Sequence, residues 1–339
     1  MVLEQNNWSS SLLEEACRRY GGDPSSIQAL GGFANNVFSF ERNEETVILK
    51  LYTYTSPNDH SQLVGELTWM AYLSQQGIRI TMPIYSRQDL WVEEIQLDVG
   101  DYLAVVYEKA AGKLLQDEQE EAWNNALFYK IGEAMGNMHR AAAEMETVTG
   151  ASRRIDWYDE AFIHSPPPVS NAVLSQWTTY VNKLKSWPTD PNSYGLVHHD
   201  LHPHNFYVHE GELVLFDFGD CLYHWYSYDI AITLYHSMQF ACISDPAEKA
   251  HWIVSFMDSF SKGYATTYQP LTQQQLEQIP FLLNYRRLYS YMYFKANTNW
   301  EQLDEGTQAA LERMREAIEQ EQPVLGNVFT PQTSQKANN

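Results

Sequence analysis

The residues best placed to do chemistry stand in one run, Val197-His198-His199-Asp200-Leu201-His202-Pro203-His204-Asn205, and Asp217-Phe218-Gly219-Asp220 begins twelve residues after Asn205. Phe206 to Val208 and Leu213 to Phe216 flank Glu210-Gly211-Glu212, a pattern that predicts a β-hairpin turning near Gly211. Asn205 and Asp217 each lie six residues from that glycine. Pairing the two arms should therefore set an amide oxygen and a carboxylate side by side at the open end, and hard oxygen donors there suit a Mg²⁺ carrying a nucleotide. Asp200 lies five residues before Asn205, on a loop that Pro203 keeps out of regular helix. It offers a second carboxylate beside that metal, free to act as the base that takes a proton from an acceptor hydroxyl. Phosphoryl transfer needs metal on the phosphates and a residue to orient the attacking hydroxyl, and these three residues supply both. The plainer alternative is a polar loop whose two aspartates cap neighbouring elements.

A second alternative comes from the histidines. Five of the eleven, His198, His199, His202, His204 and His209, fall within twelve residues, the raw material of a zinc hydrolase. Their spacing opposes it: there is no His-Glu-x-x-His helix, and Pro203 spoils a helical pair from His198 to His202. Gly-x-Ser-x-Gly, Gly-x-x-x-x-Gly-Lys and Gly-x-Gly-x-x-Gly are all absent, so serine hydrolase, P-loop and dinucleotide-binding readings have no anchor.

The elements that must position these residues fall into two groups. The first hundred residues or so read as short strands around one helix. Strands are expected at Ile27 to Leu30, Val37 to Glu41 and Thr46 to Leu51, with a hairpin turn at Arg42-Asn43-Glu44-Glu45, then near Leu90 to Glu94 and Tyr102 to Tyr107. Leu63, Leu67, Met70, Ala71 and Leu73 recur at helical spacing between Pro57 and Gln76, and Gly77 is a stop signal. After Ala110-Ala111-Gly112 the pattern turns helical, beginning with the stripe Trp123, Leu127, Ile131, Ala134, Met135 and Met138. Further helices are expected at Asn171 to Ser186, Ser227 to Phe240, Ala247 to Tyr264, Leu271 to Lys295 and Gly306 to Gln320. Ser165-Pro166-Pro167-Pro168 reads as a rigid connection, and Gly132-x-x-x-Gly136 as a close helix contact. The expected fold is α+β and bilobal: residues 1–108 form a small β-rich lobe, 109–325 a larger, mainly helical lobe, and 326–339 a polar tail.

The catalytic run resembles the catalytic and metal-binding motifs of the aminoglycoside phosphotransferase and choline kinase superfamily, and the resemblance covers most of the chain in the expected order. It implies a protein-kinase-like fold that uses ATP and Mg²⁺, with Asp200 as the catalytic aspartate and Asn205 and Asp217 as metal ligands. His198, His202 and Asp229 are then supporting residues, Asp229 doubling as the N-cap of the helix at Ile230. Gly31-Gly32 before Asn35-Asn36 resembles the family's shortened phosphate-covering loop. Lys50, ending its strand, corresponds to the phosphate-pairing lysine, and Glu66, sixteen residues on, to its ion-pair partner. Tyr107-Glu108-Lys109-Ala110 falls where the family's hinge binds adenine through its backbone. His139 is expected to pack. Two departures stand out: His199, where the family usually has glycine, and His204, where glycine is frequent.

Only twelve residues separate Asp217 from Asp229, too few for the long activation segment of typical protein kinases, so a small-molecule hydroxyl acceptor is expected. A bacterial serine/threonine protein kinase of the same superfamily and a non-catalytic kinase-like scaffold are the competing readings. The acceptor pocket is expected among Trp157, Asp159, Glu160, Tyr226 and Tyr285 to Phe294, with Asp117, Glu118, Glu120 and Glu121 either attracting an amine or favouring a helix start.

The net charge of −21 repels nucleic acid and anionic lipid and would attract a cationic acceptor such as an aminoglycoside, although an acidic surface also serves solubility. Three separated cysteines, Cys17, Cys221 and Cys242, fit no disulfide framework and suit the cytoplasm. No basic, apolar leader or membrane span is apparent, and the sequence carries no signal for an oligomeric state.

Overall fold

The computed structural model describes residues 8–31, 35–114, 123–145 and 153–326. Asp117, Glu118, Glu120, Glu121 and Gly32 lie outside them, as does the tail after Gly326.

The N-terminal part is a twisted antiparallel sheet built from β1 (Asp23–Gly31), β2 (Val37–Arg42), β3 (Glu45–Thr53), β4 (Pro83–Ile84), β5 (Glu93–Leu97) and β6 (Gly100–Glu108). The path runs β1-β2-β3-β6-β4, with β5 also on β6. Arg42 pairs with Glu45, so Asn43 and Glu44 form a two-residue turn, both with left-handed φ (51° and 67°) as the twist of a hairpin demands.

Both faces of the sheet are covered, which is why its central strand β6 reads as an unbroken apolar run from Leu103 to Tyr107 and not as an alternation. Ala104 and Val106 face α1 (Ser10–Arg19) together with Val47, Leu49 and Leu51, and the helix contributes Leu12, Ala16 and Cys17. Leu103, Val105 and Tyr107 face α2 (Pro57–Gln75), which contributes Leu63, Leu67, Met70 and Leu73. Each such fully buried leucine stabilises the lobe by about 1.5–3 kcal/mol. The same period of two turns Lys50 to the α2 face beside Ile48, and hence into the cleft. The sequence reading left α1 unassigned and placed β5 about three residues early; Asp89, at φ 58°, holds a turn where that strand was expected to begin.

The C-terminal part contains α3 (Asn125–Glu144), α4 (Ala161–His164), α5 (Asn171–Lys185), α6 (Tyr226–Ala241), α7 (Pro246–Thr267), α8 (Gln273–Asn297) and α9 (Glu305–Glu319). The triproline segment lies between α4 and α5. Helices α3 and α7 touch backbone to backbone. A Cβ on Gly132 would stand 2.0 Å from the Phe260 carbonyl oxygen, one on Gly136 2.7 Å from that of Tyr264, and one on Gly263 1.9 Å from that of Tyr129.

Short strands line the junction between the two parts. β8 (Tyr194–Val197) pairs with β11 (Leu222–Trp225), and β7 (Lys113–Leu114) joins β9 (Phe206–His209) and β10 (Glu212–Leu215). The Leu215 amide donates to the Arg79 carbonyl at 2.9 Å and its carbonyl accepts from Thr81 at 3.0 Å, which ties the hairpin to the strand-bearing part. No helix among the described residues is long and apolar enough to cross a membrane.

Candidate active site

The hairpin forms as its turn chemistry requires, with a register different from the expected one. His209 pairs with Glu212, and Glu210 and Gly211 make the turn with φ of 54° and 79°. Phe216 therefore stands opposite Asn205, donating its amide to the Asn205 carbonyl at 3.1 Å, and Asp217 lies one residue beyond. In an extended strand that offset would send the two side chains to opposite faces. Asp217 escapes it by adopting φ 62°, so the strain of a non-glycine left-handed residue re-aims its carboxylate. Both side chains line one cleft of about 960 Å³, together with Lys50, Glu66, Met70, Phe216 and Phe218.

Lys50 Nζ lies 2.7 Å from Asp217 Oδ1. The expected Lys50–Glu66 ion pair is replaced by this contact. Glu66, 3% exposed, instead accepts from the Tyr107 hydroxyl at 3.3 Å, and burial raises its carboxyl although Lys50 and Arg154 pull it down. Lys50 holds the Asp217 carboxyl low, while burial opposes it. Asn36 also departs from its expected place at the phosphates: its Nδ2 donates to the Leu51 carbonyl at 2.8 Å, bracing the end of β3. Gly31 adopts φ 99° with open space around it, so backbone conformation, not crowding, calls for glycine.

Asp200 is held from three directions. Asn205 Nδ2 donates to its carbonyl at 2.9 Å and lies 3.3 Å from Oδ2. That commitment fixes the amide and leaves the Asn205 oxygen as the atom available to a metal. The His204 amide donates to His202 Nδ1 at 3.1 Å, so the His202 proton sits on Nε2, 3.2 Å from Asp200 Oδ2. Arg286 of α8 donates to Oδ1 at 2.9 Å. Burial pushes the Asp200 carboxyl up, but the His202 hydrogen bond and the Arg286 guanidinium outweigh it and hold it well below the ordinary carboxylate range.

Beneath the loop lies a buried polar chain. The Asp229 carboxylate, wholly buried, accepts from the amides of His198 (3.2 Å) and His199 (2.9 Å) and from His139 Nε2 (3.1 Å). It is not an N-cap: α6 already begins at Tyr226, so Asp229 sits in the first turn with its side chain turned to the loop. His139 does more than pack, since it stacks on Tyr226 and its Nδ1 lies 2.8 Å from the Tyr264 hydroxyl. His198 Nδ1 accepts from the Asp200 amide at 3.4 Å and its Nε2 lies 3.2 Å from the Phe216 carbonyl, coupling the aspartate to the hairpin.

These positions answer the zinc alternative. His198, His202 and His139 are each committed to a different partner, and among the described residues no group of three His, Cys, Asp or Glu converges on a metal position.

Residues 26–270 match the family described as "Phosphotransferase enzyme family". The chain is 30% identical over 323 residues to the amicoumacin kinase of Bacillus subtilis (strain 168), covering 94% of each. A solved amicoumacin kinase in complex with AMP-PNP, Ca²⁺ and Ami superposes with a TM-score of 0.83 at 30% identity, covering 95% of this chain and 96% of that one. A microcompartment-associated aminopropanol kinase shares the fold, with a TM-score of 0.73 at 18% identity, 92% of this chain and 95% of that one.

The chain belongs to the phosphotransferase enzyme family. It is a phosphotransferase of the kinase type, with the bilobal kinase-like fold. Two features of this phosphotransferase were missed in the sequence. Arg154 donates to the carbonyls of Cys221 (2.6 Å), Gly219 (2.7 Å) and Gln62 (3.0 Å), pinning the Asp217 segment to α2. Arg286 sits in a helix read only for its apolar period, and its partner is 86 residues away. Neither arginine belongs to a local motif that spacing could reveal.

The family departure at His199 has a backbone cause: the residue adopts φ 68°, the conformation glycine provides without strain. Its ring is buried among His224, Tyr228 and Tyr289. His204 has no such strain and lines the cleft. Of the expected acceptor residues, Trp157, Tyr226 and Tyr285 are core side chains. Glu160 lies nearer solvent, takes a 2.6 Å hydrogen bond from Tyr289, and is pushed up to about 8 by burial. Asp220, beside Asp200 and Asp217, is pushed up to about 6 by burial and by those two charges.

Proposed function

We propose that this phosphotransferase moves the γ-phosphate of ATP to the hydroxyl of an amine-bearing small molecule of the amicoumacin kind, with Asp200 receiving the hydroxyl. The observation that carries the reading is the placement of Asp200 between Asn205 and Arg286: its segment faces the Lys50–Asp217 cleft on one side and the helical part on the other. The amine is suggested by the Asp220 carboxyl beside Asp200, by the acidic surface, and by the resemblance to the amicoumacin kinases.

The donor set fits the implied divalent ion. Asn205 offers an amide oxygen and Asp217 a carboxylate, hard donors that suit Mg²⁺, and Asp217 already attracts the Lys50 cation. When bound, the ion would neutralise developing charge on the transferred phosphoryl group. Lys50 pairs with phosphate oxygens from the sheet side, and Gly31, in a conformation that suits glycine, ends β1 near them. The Glu108 amide is engaged with the Met82 carbonyl at 3.0 Å, so recognition of the base falls to Lys109 and Ala110. Asp200, a weak base with three donors around it, orients the hydroxyl and takes its proton only as the new P–O bond makes that hydroxyl acidic. His198, His202 and Asp229 keep its loop in place.

The segment between Asp217 and Asp229 is occupied by β11 and the first turn of α6, which leaves no free strand to dock a peptide. The test is a coupled ADP-release assay with MgATP against amicoumacin, aminoglycosides, simple amino alcohols, homoserine and a serine/threonine protein, with Asp200→Asn alongside. Phosphorylation of an amine-bearing alcohol, abolished in the variant, is expected. Undiminished turnover by Asp200→Asn would remove Asp200 from the chemistry, and preferential labelling of the protein would replace the acceptor class.

A further inference from the structure

Arg286 is placed where the fold alone gains little from it. Its side chain is 9% exposed in the middle of α8, and its Nε has no hydrogen-bond partner. Burying a guanidinium costs several kcal/mol, and a buried ion pair is weak evidence for stability, since a well-packed apolar pair in place of both partners often serves the fold as well. What the arginine does have is one well-used nitrogen. Nη2 lies 2.9 Å from Asp200 Oδ1 and 3.0 Å from His236 Nε2, one acceptor for each of its two hydrogens. His236 Nδ1 lies 3.2 Å from Gln239 Oε1. An amide oxygen only accepts, so Nδ1 carries the proton and Nε2 turns its lone pair to Arg286. The histidine thus braces the guanidinium from α6 without adding charge.

The two oxygens of Asp200 are consequently held from different parts of the molecule. Oδ2 is met by His202 and Asn205, both on the catalytic segment, while Oδ1 is met only from α8 among the hydrogen bonds of the described residues. The terminal torsion of an aspartate is broad and has no sharp preference of its own. Asp217 and Asp220 also lie close enough to repel Asp200. Something on the helical side must fix the plane of the carboxylate.

We infer that Arg286, braced by His236, is a positioning residue for phosphoryl transfer that holds the Asp200 carboxylate in the orientation that receives the acceptor hydroxyl. The inference rests on the proposed role of Asp200. Arg286 is not among the residues lining the nucleotide cleft, so its effect belongs to kcat and to the acceptor, not to nucleotide affinity.

The experiment compares Arg286→Met, Arg286→Lys, Asp200→Asn and the double variant Asp200→Asn/Arg286→Met, using the acceptor found by the screen above and water as a second acceptor. Arg286→Met should lower kcat about 10- to 100-fold, the cost of a small misplacement of a reacting group, with KM for ATP within about twofold. Its denaturant midpoint should fall, because Asp200 loses its buried counter-charge; with kcat read below the unfolding transition, free guanidinium ion should restore part of it. Arg286→Lys should fall between wild type and methionine. In the Asp200→Asn background, Arg286→Met should cost little more, because two residues acting through one step are not additive. An Arg286→Met kcat within twofold of wild type, or a full further loss in the Asp200→Asn background, would overturn the inference. So would a loss that tracks unfolding and is not reduced in Arg286→Lys or by guanidinium. Should Asp200→Asn keep full turnover, the proposed role of Asp200 falls first and takes this inference with it; a dead Asp200→Asn beside a normal Arg286→Met sinks the inference alone.

Discussion

Removing Asp229 tests whether the catalytic loop depends on the buried chain beneath it. In Asp229→Ala, the amides of His198 and His199 and the Nε2–H of His139 lose their acceptor in a region closed to water. Each orphaned buried donor costs about 1–3 kcal/mol, so the three together should cost about 3–5 kcal/mol even if one finds a new partner. That is a large share of the ~5–15 kcal/mol by which folded proteins are stable. Asp229→Asn keeps the shape but must turn an NH₂ group toward one of the three donors, and about 2 kcal/mol is expected. Tyr264→Phe removes only the hydroxyl that fixes His139 Nδ1 and should cost about 1 kcal/mol. The measurement is urea unfolding followed by circular dichroism, with kcat recorded for each variant below its transition. Stability should fall in the order Tyr264→Phe, Asp229→Asn, Asp229→Ala, and kcat should fall more steeply, since a 1 Å shift of Asp200 can cost about 100-fold. If Asp229→Ala unfolds within 1 kcal/mol of wild type, at the order-of-magnitude scale of a single hydrogen bond, the chain does not carry the loop.

Lys50→Met should lower kcat/KM for MgATP about 10²- to 10³-fold, the usual loss when one charge-stabilising donor is removed; a loss under tenfold in steady-state kinetics would contradict its placement at the phosphates. Gly132→Ala should destabilise the helical part by about 1–3 kcal/mol or more, because its Cβ would stand 2.0 Å from a backbone oxygen that cannot swing aside; urea unfolding reads it directly. Glu160 supplies a pH dependence. Burial raises its carboxyl from the ordinary 4.5 to about 8, so the folded chain keeps a proton there that the unfolded chain releases near 4.5. Its contribution is complete below pH 4.5 and is lost as pH rises through about 8. The melting temperature of wild type relative to Glu160→Gln should therefore fall from pH 5 to pH 9, and a constant difference would show that the carboxyl ionises normally.

Much of the fold was legible because its signals are local. Strands β2, β3 and β6, helices α2, α3, α5, α6, α7, α8 and α9, and the hairpin around Gly211 all follow from apolar period and turn residues. Strands β8 and β11 have four residues each and pair across two dozen positions, so neither offers enough alternation to be seen alone. The site divides in the same way. The sequence placed Asp200, Asn205, Asp217 and Lys50 in one neighbourhood. It misjudged the partners, because a side-chain contact depends on register and on single φ values that spacing does not carry. One residue of hairpin register moved Phe216 opposite Asn205, and a left-handed φ at Asp217 undid the consequence. Lys50 then met Asp217 and left Glu66 to Tyr107.

The charges of the site show a division of labour that the catalytic run alone does not contain. Asp200 and Asp217 belong to one short segment and would repel each other if left unpaired, yet each has a cation from a different part of the chain. Lys50 comes to Asp217 from the sheet and Arg286 to Asp200 from α8. The segment is thus gripped from both sides, with Arg154 fastening its Gly219–Cys221 end to α2 and Asp229 fastening its beginning to α6. A shift between sheet and helices would change the separation of Lys50 and Arg286 before it changed anything within the segment. With Lys50 at the phosphate and Asp200 at the acceptor hydroxyl, as proposed, their relative position is set by the junction of the two parts, and the motif supplies the groups that this junction aligns.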